Sequence, residues 1–154
     1  MEGTPTEDRD QLLRHEDEAW RAFVAEVGRV PASARADGGV VPGWSVIDLV
    51  YHCGKWAGVA ADKLDELRTG QKAEEDDDWQ PKNDLWAAES KKMVYEEAMA
   101  RALADRERAR RAFEEFPNVD ANAASWFKEE TFDHYEEHTE EIARYADSLG
   151  IPEK

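Results

Sequence analysis

The chain has 154 residues and carries 36 Asp and Glu against 20 Lys and Arg, a net charge of −16. A field of that sign repels phosphate backbones and anionic lipid surfaces, so nucleic acid and membrane are excluded as expected partners. Six Trp and 41% hydrophobic residues exclude a disordered chain, no apolar run approaches a membrane span, and the single Cys53 excludes an internal disulfide or a thiolate metal cluster.

The length fits one domain over residues 1–154, and the opening "MEGTPTEDRD" lacks the basic and apolar regions of a secretion signal, so a cytoplasmic protein is expected. Periodicity predicts four helices and no strand. The first runs from about Glu7 to Gly28, with Leu13, Trp20, Phe23, Val24 and Val27 on one face and Glu16 on that apolar side. His15 lies well over about 100° from the centre of the face and is assigned to the surface. "GRVPASARADGGVVPGW" then breaks the pattern.

The second helix enters at "WSVID", where Ser45 caps and Asp48 complements the positive N-terminal dipole, and it ends near Thr69-Gly70. Its stripe is Leu49, Cys53, Trp56, Ala60 and Leu67, with His52 about 60° from Leu49. Cys53 reads as a small core thiol. In the acidic loop "QKAEEDDDWQPKND", Trp79 either tacks the loop onto the core or covers a pocket. Asn83 or Asp84 is expected to cap a long third helix that ends at Pro117, with Trp86, Met93, Ala100 and Ala104 on a face interrupted by Glu89 and Glu96. The fourth runs from about Ala123 to Leu149 and stops at Gly150 and Pro152. The short link between the last two helices predicts antiparallel neighbours, and the longer links allow crossovers. The fold class is all-α, a four-helix bundle whose order the pattern leaves open.

On the last helix "TFDHYEEHTEEI" separates two populations. With Ile142 at the middle of the inward face, Tyr135 falls within about 20°, His138 about 40° away and His134 about 80°. Asp133, Glu136, Glu137 and Glu140 lie beyond about 120° and face water. Tyr135 occupies the position where a zincin carries its glutamate base, which argues against a metalloprotease, and the absence of Glu-x-x-His argues against a di-iron centre.

Three inward imidazoles each cost roughly 1–3 kcal/mol if left without a partner, against the roughly 5–15 kcal/mol by which a domain is stable. They are satisfied either by separate hydrogen bonds or by one shared divalent metal with coordination positions to spare. Trp20, Trp56 and Tyr135 face inward and either line a pocket beside the site or pack the core. Glu16, Glu89 and Glu96 are either partners of the site or boundary carboxylates. No catalytic base is assigned.

"WSVIDLVYHCGKW" followed by "FDHYEEHTEEIARY" resembles the DinB-like (YfiT-like) four-helix-bundle superfamily, which includes metal-binding thiol S-transferases and the N-terminal domain of mycothiol-dependent maleylpyruvate isomerase. The resemblance implies an up-up-down-down bundle in which His52, His134 and His138 ligate zinc or nickel at one end. It also implies an S-transferase or isomerase that uses a low-molecular-weight thiol on a small electrophilic substrate. A metal-dependent hydrolase and a non-catalytic ligand- or metal-binding module are the alternatives, with a homodimer as a further expectation. The acidity of the chain favours an uncharged thiol such as mycothiol over bacillithiol or glutathione.

Overall fold

The helices begin where polar side chains satisfy the first free amides. The computed structural model describes residues 8–74 and 79–150, and within them α1 (Arg9–Arg29) starts on the cap Asp8, whose carboxylate accepts from Gln11 N. The expected start at Glu7 lies outside the described residues. Helix α2 (Val46–Arg68) opens on the anticipated cap in reciprocal form: Ser45 Oγ accepts from Asp48 N at 3.1 Å, and Asp48 Oδ2 accepts from Ser45 N at 2.8 Å. Gly150, at φ +77°, terminates the last helix in the left-handed conformation, while Pro152 lies outside the described residues.

Two predicted helices are each divided. The third is α3 (Trp79–Ser90) followed by α4 (Tyr95–Glu114). Helix α3 begins before Asn83, which does not act as its cap; the Asn83 Oδ1 accepts from Trp56 Nε1 at 2.9 Å instead. Its end is held by α2, because Ser90 Oγ donates to Asp48 Oδ1 at 2.6 Å and Lys91 Nζ reaches Asp48 Oδ2 at 2.5 Å. Helix α4 then restarts in a new phase, so Ala98, Ala102, Ala109, Ala112 and Phe113 are buried while Ala100 and Ala104 are exposed.

The fourth predicted helix is α5 (Ala121–Glu130), capped by Asp120, and α6 (Phe132–Ser148). They meet at Thr131, whose φ of −115° and ψ of −89° break the helical path while its buried Oγ1 donates to Phe127 O at 2.6 Å.

The protein is an all-α bundle in which α5 and α6 together supply the fourth member, and no strand occurs among the described residues. Helix α1 runs antiparallel to α4, since Arg9 reaches the Glu114 and Phe116 carbonyls and Arg110 reaches Leu13 O. It runs parallel to α6, since His15 meets Glu136 and Arg29 meets Asp147. Helix α2 is parallel to α4, with Gly54 against Ala102 and Arg68 beside Glu115, and antiparallel to α5 and α6, with His52 by His138 and Lys63 by Trp126. The senses are therefore up-down-down-up, which corrects the expected up-up-down-down order. The link at residues 30–45 folds over one end of the bundle, with Ile47 N bonded to Arg35 O and Val40 N to Trp44 O, rather than running back along its length. The length-spanning connection is residues 69–94, which contains α3 and leaves α2 and α4 parallel. Helices α4 and α5 are antiparallel as anticipated, and Phe113 stacks on Phe127 at 4.1 Å where they meet.

Small residues let α2 and α4 approach closely. A Cβ on Gly54 would stand 2.6 Å from Ala102 Cα, so this crossing requires glycine. No helix of the described residues is long and apolar enough to cross a membrane.

Candidate metal centre

Helix α2 supplies His52 and α6 supplies His134 and His138, and the antiparallel packing of these helices brings the three rings together. Their centroids lie 5.5 Å apart for His52 and His134, 5.1 Å for His52 and His138, and 6.3 Å for His134 and His138. His52 and His138 are buried and His134 is half-buried. Burial, reinforced by the two neighbouring histidines, pushes the His52 pKa down to about 3. Burial also lowers that of His134. Both shifts favour the neutral ring, which is the form that ligates a metal.

The outer nitrogens of the α6 pair are engaged. His134 Nδ1 lies 2.9 Å from the Glu129 carbonyl, which can only accept, so this nitrogen carries the proton and Nε2 keeps its lone pair. His138 Nδ1 lies 2.6 Å from Glu141 Oε1. His52 differs, because its Nδ1 is buried with no hydrogen-bond partner among the described residues. Two imidazoles are thus oriented from outside and a third holds an orphaned nitrogen; the three meet as rings, while the group whose donor atoms all lie within 4.8 Å of one another is His138 with Glu137 and Glu141.

The rings border a cavity of about 440 Å³ that Trp56, Trp79, Trp126 and Val59 also line, with Lys63, Asn83, Glu130 and Glu137 as the other polar groups. Trp56 lies parallel to His134 at 5.6 Å and edge-on to Trp86 at 5.2 Å. Trp79 is a cavity wall at the start of α3 rather than a tack onto the core, and its side chain remains exposed. Of the predicted pocket residues, only Trp56 lines this cavity. Trp20 and Tyr135 are buried in the core, 5.1 Å apart and edge to face, and Tyr135 OH donates to Glu16 Oε2 at 3.0 Å. Inward direction on a helical wheel does not distinguish the cavity from the rest of the interior.

None of the three acids noted on apolar faces lines the cavity. Glu16 is fully buried and held by Arg106 and Arg110, Glu89 accepts from Tyr51 OH at 2.6 Å, and Glu96 is exposed in the first turn of α4. Glu130 Oε1 lies 3.7 Å from His134 Nδ1, and Glu137 and Glu141 with His138 bring donor atoms within 4.8 Å of one another. Glu137 is exposed, as its wheel position indicates, yet lines the cavity. Glu141 stands three residues after His138, one turn along the same face; that spacing was a usable signal in the sequence. His15 is exposed, stacked on Phe132 at 3.9 Å and paired with Glu136, and Cys53 is a core thiol whose pKa burial raises.

The family described as mycothiol maleylpyruvate isomerase N-terminal domain matches residues 13–133, a span that includes His52 and stops just before His134. A crystal structure of an uncharacterised protein from Escherichia coli UTI89 shares the fold, with a TM-score of 0.79 at 12% identity over 97% of this chain and 98% of that one. No curated protein matches the sequence.

Proposed function

The chain belongs to the family of the mycothiol maleylpyruvate isomerase N-terminal domain, and from that premise we propose that it is a divalent-metal-dependent enzyme that joins a low-molecular-weight thiol of the mycothiol type to a small electrophile, or isomerises one through such a thiol. The observation that carries the reading is the convergence of His52, His134 and His138, two of them with lowered pKa, on the wall of a cavity of about 440 Å³. A divalent metal held by these rings supplies the positive charge that favours the thiolate form of an incoming thiol.

The remaining work falls to the protein. Trp56, Trp79 and Trp126 exclude water from one side of the substrate and offer flat apolar surface to it. Asn83, whose Oδ1 is taken by Trp56, keeps its amide nitrogen free to donate to a substrate oxygen. As sulfur bonds to the electrophile, a π bond of the electrophile opens or its leaving group departs as an anion. The thiol proton passes to Glu137, a carboxylate on the lining, which returns it to the adduct in the first case or to water in the second. The charge of −16 disfavours multiply anionic thiols, and the cytoplasm is the compartment in which thiols stay reduced.

Elemental analysis of protein purified without an affinity tag tests the first half, with about one equivalent of a transition metal expected. Mycothiol and monochlorobimane test the second: metal-loaded protein is expected to accelerate conjugation and chelated protein is not. No rate above that of the thiol alone would overturn the enzyme, leaving a non-catalytic binding module if metal is retained. Failure to hold metal even after reloading would remove the whole reading.

A further inference from the structure

We propose that Glu141 is the positioning residue of the histidine cluster: it holds the His138 ring in the Nδ1–H tautomer and so keeps its Nε2 lone pair available as a donor. The purpose rests on the metal reading above, but the structural assignment does not. Glu141 Oε1 stands 2.6 Å from His138 Nδ1, a length typical of a charge-assisted bond. The carboxylate side chain is 17% exposed and the imidazole 10%, so water competes weakly for the contact. Both residues lie on α6 three apart, and the helix backbone sets their spacing.

The other two rings make this role specific. His134 is oriented by a backbone group, the Glu129 carbonyl. That carbonyl belongs to the last turn of α5, beyond Phe127 O, which Thr131 N caps, and just before the path breaks at Thr131. The break thus supplies the orienting acceptor for His134. His52 has an unpartnered Nδ1. Among the described residues, Glu141 is therefore the side chain that fixes a ring of the cluster by hydrogen bonding to its Nδ1. Which ring nitrogen of a histidine is free to ligate is decided by the bond the other makes, and loss of such an outer partner typically weakens metal binding about 10–100-fold.

The test is nitrogen-15 NMR of the imidazoles in the full, metal-free chain, followed by metal titration. The wild type is expected to show His138 as the Nδ1–H tautomer. Glu141→Ala is expected to move it toward the Nε2–H form, and Glu141→Gln, whose amide oxygen still accepts, to retain Nδ1–H. Metal dissociation constants should rise about 10–100-fold in Glu141→Ala and less in Glu141→Gln. An Nε2–H tautomer in the wild type, or an unchanged tautomer in Glu141→Ala, overturns the assignment, and the first needs no variant to fold. If the tautomer shifts as expected but the wild type binds no metal, the proposed function fails while the role of Glu141 stands. If metal binds and Glu141→Ala keeps wild-type tautomer and affinity, the reverse holds.

Discussion

Adjacent residues of α6 belong to two buried polar clusters of opposite character. Tyr135 joins Glu16, a fully buried carboxylate that accepts from Arg106 at 2.7 and 2.9 Å, from Arg110 at 2.6 Å and from Tyr135 at 3.0 Å. His134 joins the histidine cluster, where His52 Nδ1 has no partner and the three rings face one another. A buried charge is tolerable when each lone pair is answered, and the Glu16 cluster answers them while tying α1 to α4 and α6. The histidine cluster leaves donor capacity unspent beside a cavity. Satisfied polar burial holds the bundle together; unsatisfied polar burial is where it has chemistry to offer.

The largest way to break that contrast is at Arg106. Arg106→Ala leaves Glu16 buried with less compensation and should cost about 3 kcal/mol in urea unfolding, with metal content per folded molecule unchanged. A cost below about 1 kcal/mol would mean that Glu16 reaches water in solution.

His52→Leu should act in the other direction. Removing an orphaned buried nitrogen is expected to stabilise the metal-free protein by about 1–2 kcal/mol while abolishing the rise in melting temperature on adding zinc. Destabilisation of the metal-free protein would show that the ring has a partner after all.

Acid sharpens the same point. Because the folded pKa of His52 is about 3 and its unfolded value near 6.5, the unfolded chain binds the proton first as pH falls. Stability of the metal-free protein is full above about 6.5 and is lost from there down toward about 3, at up to about 1.4 kcal/mol per pH unit from this group. Urea midpoints measured across pH 4–7 should show this slope in the wild type and a flatter one in His52→Leu.

The smallest effect is a packing control on the face of α2 that meets α4, two residues after His52. Gly54→Ala forces a Cβ to within 2.6 Å of Ala102 Cα. Overpacking of about 1–3 kcal/mol, offset by about 1 kcal/mol of helix propensity, predicts a net loss near 1 kcal/mol by chemical denaturation.

Much of this was legible in the chain. Ser45 and Asp48 announce the start of α2 because a cap is a local device, and His52, His134 and His138 emerge as inward-facing because a helical wheel needs only spacing. The breaks after Ser90 and at Thr131 were not legible, since neither carries Gly or Pro. One is held by Asp48, 42 positions away from Ser90. The other depends on the backbone path at a single threonine. The sorting of Trp56 into the cavity and of Trp20 and Tyr135 into the core was equally hidden, because all three look inward on their own helices.

By itself the sequence determined the class of structure, a bundle of amphipathic helices, and the three imidazoles available to it, because periodicity and side-chain chemistry are properties of short segments. Tertiary structure alone decided the up-down-down-up order, the partners of Glu16, and the meeting of α2 with α6 that brings His52 within 5.5 Å of the other two rings. Those depend on which helix lies against which, and that is a balance struck over the whole interior.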